Sequence, residues 1–178
     1  MKPRIWTTRR KVLGNAIPFA FGVAAISIGY PFVGGWSFLP AWIITYMSLN
    51  CFGFYQNAKI RKELIELGAK GELVGFVFDR PPSLLDAHAE VGMLHVGSKR
   101  ISITTEDRTV ECSFSEVTNI FERPNPHSFL GLGGWIQLDF KEGPPLKIES
   151  RARDTMRASR SETKRLFHQL KTKCPTRR

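Results

Sequence analysis

The chain has 178 residues and carries 26 Lys and Arg against 16 Asp and Glu, a formal net charge of +10. Its three cysteines, Cys51, Cys112 and Cys174, match no disulfide or zinc framework, which indicates reduced structural thiols of a reducing compartment. The charge is uneven, because residues 72–150 hold more acids than bases whereas residues 1–11 and 151–178 are strongly basic.

An uncharged stretch dominates the first third of the chain. Residues 12–58 contain no Asp, Glu, Lys or Arg, and bases flank them on both sides. A bilayer core needs about 20 apolar residues per helix. The stretch therefore predicts a two-helix transmembrane hairpin, with spans at 12–32 and 36–55 joined at Gly34-Gly35, preceded by a basic cytoplasmic arm at 1–11.

The first span contains small residues that let another helix approach closely. Gly22, Ala25 and Gly29 predict a helix-docking face, used by the second span or by another protein. Bases at both ends of the hairpin predict that both termini are cytoplasmic, and the absence of an ionisable group disfavours a channel or carrier. An alternative is a twin-arginine export signal at residues 8–14, although no cleavage site follows the first apolar segment.

A short juxtamembrane helix follows at residues 59–71. Ile60, Leu64 and Leu67 share one face at helical spacing. The bases among residues 59–62 are expected to meet anionic headgroups.

From residue 72 the spacing of apolar residues changes to the alternation that is typical of β-strands. Seven strands are predicted at residues 72–78, 91–96, 99–105, 109–114, 117–122, 134–140 and 146–149. A C-terminal helix is expected to begin at Ser159, because Ser159 and Glu162 form a capping box. Residues 72–173 thus form one cytoplasmic domain, and residues 174–178 are a basic tail.

The stretches Gly92–Ile103 and Val110–Ile120 resemble bacterial PH-like and GRAM-type domains, and the whole layout resembles small bacterial two-span membrane proteins that carry such a domain. The resemblance implies an α+β fold: a two-helix transmembrane hairpin followed by a seven-strand PH-like open β-barrel that a C-terminal α-helix closes. It also implies binding rather than catalysis. The chain departs from inositide-binding members, since residues 79–89 offer only Arg80 and His88 against two aspartates.

Two groups of residues are candidate contact sites. The densest basic run is expected to face anionic lipid; it comprises Arg151, Arg153, Arg157, Arg160, Lys164 and Arg165. Phe129, Leu130 and Trp135 could form an exposed apolar rim that touches lipid or a partner. Nucleic acid is disfavoured because aromatics do not interleave with these bases. The glycine-rich residues 131–134 precede a strand, so they do not indicate a phosphate-binding loop.

No catalytic, cofactor or metal site is predicted. The leading hypothesis is a non-enzymatic adaptor, integral to the bacterial cytoplasmic (inner) membrane, whose PH-like domain contacts a protein, anionic lipid or another copy of the chain. The alternative is an accessory subunit of a larger membrane complex that docks through its transmembrane hairpin.

Overall fold

The structure is a computed structural model. It describes residues 5–80, 89–125, 133–152 and 156–174, without the side chains of residues 15, 53–55, 156 and 157.

The N-terminal third is a single helical run from Thr8 to Glu66. Its α-helical segments are α1 (Thr8–Lys11), α2 (Ile17–Val33), α3 (Phe38–Ser48) and α4 (Phe54–Glu66). Between them the backbone stays helical: Val12–Ala16 and Leu49–Gly53 wind as π-helix, and Gly34–Ser37 as 3₁₀-helix. Gly34 has φ +54°, which only glycine adopts easily, and there the run changes direction so that α2 packs along α3.

The predicted hairpin of two separate transmembrane helices is therefore wrong. One helix, not two, is long and apolar enough to cross a membrane. The physical reason is that no break in the helical winding separates α2 and α3: Gly34–Ser37 is 3₁₀-helix, so the run stays one continuous helix even where it folds back at Gly34. The predicted bounds of the two spans are also wrong. Residues 12–16 and 49–53 are π-helical segments that connect α2 and α3 to the neighbouring helices.

Seven antiparallel strands form one sheet in the order β4-β3-β2-β1-β7-β6-β5. The strands are β1 (Glu72–Phe78), β2 (Glu90–Val96), β3 (Arg100–Thr104), β4 (Thr109–Ser113), β5 (Val117–Arg123), β6 (Trp135–Phe140) and β7 (Leu146–Ser150). All seven predicted strands are confirmed, each bound to within one residue. The sheet curls into a half-barrel whose edges are β4 and β5, where the sequence predicted a seven-strand open β-barrel.

Strand β1 is buried on both faces, which explains its run of apolar residues. Val74 and Phe76 point into the main core, where they meet β7 and the C-terminal helix. Leu73 points the other way and packs against Ile60 and Leu64 of α4. Because successive side chains of a strand face opposite sides, one strand separates the two clusters. The second cluster joins the helical run to the sheet.

The C-terminal helix, α5 (Met156–Lys173), covers the concave face of the sheet with Leu166 and Leu170. The predicted start at Ser159 is wrong, because the helix already begins at Met156 and Ser159 lies inside its first turns. Its side chain is buried rather than capping an exposed end. Leu67, expected on the apolar face of the juxtamembrane helix, is exposed, since α4 ends at Glu66 and the chain turns at Gly68.

Candidate functional site

The bases of the predicted run fall into three environments rather than one. Arg151 is half-buried and its guanidinium lies 5.1 Å from the centre of the Trp6 ring. Arg160 and Lys164 are exposed on α5. Arg165 is already paired within the chain, to Glu162 and Glu72 at 2.6 Å each. Arg153 and the Arg157 side chain lie outside the described residues.

Arg165 has little charge to offer a partner. The hydrogen bond from its Nε to Glu162 raises the pKa of Arg165, burial opposes this effect, and the charge of Glu72 adds to it. The guanidinium therefore bridges α5 and the start of β1. Of the predicted run, Arg160 and Lys164 are the other described α5 bases with exposed side chains.

Trp135 does not form an exposed rim. Its side chain is only 6% exposed and packs with Val77 and Ala89, and the Lys147 ammonium lies 5.3 Å from the centre of its ring. Its neighbour Ile136 lies in the main core under α5, so the strand's alternation turns Trp135 to the opposite face of the sheet. Phe129 and Leu130 lie outside the described residues. The predicted apolar rim is therefore wrong for Trp135.

The small residues of α2 face the chain itself. A Cβ atom on Gly22 would lie 2.0 Å from Thr45 Oγ1 of α3, and one on Gly29 would lie 3.1 Å from the Ser37 Cβ atom. Ala25, between them, is half-buried. Gly22 and Gly29 thus allow α2 and the following segments to approach each other, which is one of the two uses the sequence suggested.

A junction that the sequence did not reveal fixes the helical run to the sheet domain. We define the junction as Arg10–Glu63, Trp6–Arg151 and Arg61–Ala152. Arg10 bonds both carboxylate oxygens of Glu63, with Nη1 2.7 Å from Oε2. Arg61 donates to the carbonyl oxygens of Ala152 and Arg151.

The apolar part of this junction is formed by the arm and α4. Ile5, Ile60 and Leu64 are buried against Leu73 and Met93 of the sheet. Lys11 adds a second cation beside Trp6, with its Nζ atom 5.6 Å from the ring centre. The sheet domain is consequently held against the helical run by apolar packing, by the Arg61 hydrogen bonds and by the Trp6–Arg151 contact, while Arg10–Glu63 joins the two ends of the run.

A surface pocket brings α5 together with the far end of the sheet. Arg160, Thr163 and Lys164 of α5 line it on one side, and the end of β5 and the start of β6, from Glu122 to Pro124 and from Gly133 to Trp135, line it on the other. Its volume is about 260 Å³. Arg123 also lines the pocket, but its guanidinium lies 5.1 Å from the centre of the Phe121 ring, two residues back on the same face of β5.

Burial favours the protonated form of both buried thiols. Burial, followed by the charge of Glu116, raises the pKa of Cys112 to about 11, and burial also raises the pKa of Cys174. All three cysteines are unpaired, and Cys51 is exposed on the helical run. A thiol with a raised pKa carries little thiolate, the reactive form.

Comparison with known proteins gives no family for this chain. No protein-family model matches the sequence, and no curated protein matches it. The resemblance to PH-like and GRAM-type domains therefore stays a prediction.

Proposed function

We propose that the chain is a non-enzymatic adaptor of the bacterial cytoplasmic membrane, anchored by its helical run, that presents the sheet domain at the cytoplasmic leaflet to anionic lipid. The observation that carries this proposal is the junction. It ties the basic segment that begins at Arg151 to residues on both sides of the uncharged stretch, Trp6 and Arg61.

The surface of the helical run favours a lipid environment. In the most apolar window of the run, 18% is buried inside the protein. A core helix of a water-soluble protein would be mostly buried, whereas here side chains such as Phe32, Trp36 and Met47 are exposed by more than half. Removing this apolar surface from water is a driving force of about 25 cal/mol per Å².

The residues that flank the two ends of the uncharged stretch are in contact, which supports placing both ends on the same side of the membrane. Arg10 precedes the stretch and Glu63 follows it, yet their side chains are hydrogen-bonded. With bases flanking both ends, the positive-inside rule favours the cytoplasm for that side. The arm and the sheet domain would then lie at the same leaflet.

The basic segment is close enough to a membrane surface for its charge to act. Arg61 lies three residues beyond the uncharged stretch, about 5 Å along a helix at ~1.5 Å per residue, and it bonds the Ala152 carbonyl. The Debye length at physiological salt is about 8 Å. Each base near an anionic surface contributes roughly 1 kcal/mol.

Hydrogen exchange tests this contact on the full chain. The protein is placed in nanodiscs of pure phosphatidylcholine and in discs containing phosphatidylglycerol, and exchange is followed by mass spectrometry. We expect the first turns of α5 and the segment at Arg151 and Ala152 to be protected in the anionic discs at low salt, and to lose that protection at high salt.

A matched pair of variants separates this surface from net charge. Arg160→Gln with Lys164→Gln should abolish the additional protection, whereas Lys141→Gln with Lys171→Gln removes the same charge elsewhere and should retain it. Equal exchange in both kinds of disc would contradict the lipid contact.

A second candidate is an accessory subunit of a membrane complex that is recognised through the helical run. A groove of about 380 Å³ between α2 and α3 favours it, because Phe19, Val23 and Trp42 line it with apolar surface. Native purification in mild detergent distinguishes the two. A partner subunit that co-purifies with the full chain, and is lost on Trp42→Ala, would favour the accessory subunit, while lipid-dependent protection of α5 without such a partner favours the adaptor.

A further inference from the structure

The N-terminal arm is attached to the sheet domain at two separate places. The Ile5 amide donates to the carboxylate of Glu106, which lies in the turn between β3 and β4. The next residue, Trp6, lies with its ring centre 5.1 Å from the guanidinium of Arg151, directly after β7. Because the strand order is β4-β3-β2-β1-β7, these two anchors lie on opposite sides of the pair formed by β1 and β2.

The anchors stand at the two ends of one row of residues that crosses the sheet. Thr104, at the end of β3, is paired with Met93 of β2, and Met93 is paired with Leu73 of β1. The Arg151 amide in turn donates to the Leu73 carbonyl at 2.8 Å. Ile5 is buried against Leu73 and Met93, at the middle of the row. The arm therefore crosses the sheet from one side of the strand pair to the other.

Helix α4 contacts the sheet along a single apolar stripe at the middle of this row. Ile60 and Leu64 are buried with Leu73 and Met93, and Arg61 adds hydrogen bonds on the β7 side. A helix that packs through one stripe can shift on its partner by small sliding movements. Contacts on both sides of the stripe oppose such a movement, and the arm supplies one on each side.

The covalent link between α4 and the sheet contains a position that can serve as a hinge. Gly68 has φ +86°, and a Cβ atom there would meet nothing within 4 Å. Gly71 has φ +120°, but a Cβ atom there would lie 2.1 Å from the Leu94 carbonyl oxygen, so this residue is packed against β2. Hinges are a few loop positions that absorb changes in backbone torsion angles. Gly68 has the space to do so, whereas Gly71 does not.

The arm is attached at points rather than packed along its length. A cavity of about 480 Å³ lies between the arm and the sheet, lined by Trp6, Thr8 and Lys11 on one side and by residues 105–108 on the other. The Lys11 ammonium approaches the Ala89 carbonyl at 3.5 Å. An element held by a few contacts beside a cavity can detach without opening the core of the sheet.

We propose that the arm is a releasable strap. While it is attached, it prevents the sheet domain from rolling on the α4 stripe; once it is detached, the domain turns about Gly68 and both parts stay folded. Release also separates Arg151 from Trp6. In the function proposed above, the angle of the sheet domain determines which surface faces the leaflet. The strap itself depends only on contacts within the chain, so it operates in detergent as well as in a membrane.

The test measures the distance between the helical run and the sheet domain in the full chain, in detergent micelles. Spin labels are attached to p-acetylphenylalanine, introduced at exposed Lys62 of α4 and at exposed Lys141 after β6, so the cysteines stay unlabelled. Double electron–electron resonance should give one narrow distance distribution. Trp6→Ala with Glu106→Ala removes an anchor on each side of the stripe, and should widen the distribution about twofold.

Matched variants decide whether the anchors are responsible. Thr8→Ala with Asp107→Ala changes exposed neighbours of the two anchors and should leave the distribution narrow. Trp6→Phe, which keeps an aromatic ring beside Arg151, should also leave it narrow. Slow hydrogen exchange in β1, β2 and β7 of the anchor variant shows that the sheet is still folded. An unchanged distribution after loss of both anchors, or fast exchange throughout these strands, would overturn the proposal.

The strap and the lipid contact can fail separately. An unchanged distance distribution in detergent, together with protection of α5 in anionic nanodiscs, would remove the strap and leave the adaptor function standing. A distribution that widens in the anchor variant, without any lipid-dependent protection in the natural chain, would support the strap and remove the lipid contact.

Discussion

The Arg10–Glu63 pair shows how two single residues join distant parts of the chain. The guanidinium bonds both carboxylate oxygens, and Nη1 also donates to the Ile5 carbonyl at 2.9 Å. The hydrogen bonds from Arg10 hold the pKa of Glu63 below its ordinary value of 4.5, although burial of the carboxylate opposes them. The pair thus stabilises the folded junction whenever Glu63 is ionised.

Replacing Arg10 should weaken the junction and alter its response to acid. The Glu63 side chain is 38% exposed, so solvent screens the pair, and Arg10→Gln is expected to lower the free energy of unfolding by about 1 kcal/mol at pH 7. Because the folded pKa of Glu63 is lowered, its contribution is present above pH 4.5 and is lost as the pH falls through the folded pKa.

Thermal unfolding followed by near-ultraviolet circular dichroism measures this effect between pH 7 and pH 3. The difference between the natural chain and Arg10→Gln should shrink below pH 4.5. Arg9→Gln, which removes the neighbouring exposed charge, is the control and should leave stability unchanged within about 0.5 kcal/mol. A difference that persists at pH 3 would contradict this role of the pair.

At the scale of elements, the contact between α2 and α3 depends on the absence of a side chain at Gly22. A Cβ atom there would lie 2.0 Å from Thr45 Oγ1, whose own hydrogen bond to the Ala41 carbonyl, at 2.9 Å, holds it in place. Gly22→Ala should therefore force α2 and α3 apart. We expect a loss of about 1–3 kcal/mol, the usual cost of overpacking.

A compensating change makes this expectation specific. Thr45→Ala removes the clashing oxygen, so the double variant should recover most of the stability that Gly22→Ala loses, as measured by thermal unfolding in detergent. Ala24→Gly, on the exposed side of α2, gives the cost of an alanine-to-glycine change alone. Failure of Thr45→Ala to restore stability would show that the two segments do not pack through Gly22.

Helix α4 holds the sheet through one buried stripe. Leu64 is 1% exposed and packs on Leu73 and Met93, whereas its neighbour Ile65 is 54% exposed. Leu64→Ala should cost about 2–5 kcal/mol because it leaves a cavity between α4 and the sheet. Ile65→Ala should cost less than about 0.5 kcal/mol, and equal losses in urea unfolding would argue against a docked α4.

The sequence predicts well those elements whose alternation of apolar and polar residues is visible over a few neighbouring positions. Residues such as Ile101 and Ile103 alternate with polar neighbours, and this alternation locates the strands within one residue of their observed bounds. The continuity of the helical run was not predictable in this way, because Gly34-Gly35 is typical of an open turn. The capping box at Ser159 failed for a related reason, since the packing of α5 on the sheet overrides a local start signal.

At the scale of the whole molecule, the junction makes the helical run and the sheet domain one connected body. Trp6 and Arg61 reach the same loop from opposite sides of the uncharged stretch. The candidate site could be predicted only in part: Arg160 and Lys164 are visible in the sequence as part of a basic run, but their position beside the end of β5 and the start of β6 follows from the strand order β7-β6-β5 and the packing of α5.

The proposed cytoplasmic anchoring is tested most directly by finding on which side of the membrane the N-terminal arm and the sheet domain lie. With Cys51 changed to serine, a cysteine is introduced at exposed Arg9 or at exposed Ser161 of α5, and a membrane-impermeant maleimide is applied to right-side-out and inside-out vesicles. The buried Cys112 and Cys174 should react slowly in both. We expect Arg9→Cys and Ser161→Cys to be labelled only in inside-out vesicles. Labelling of the two positions from opposite sides, or of either from the outside, would contradict the proposed cytoplasmic anchoring.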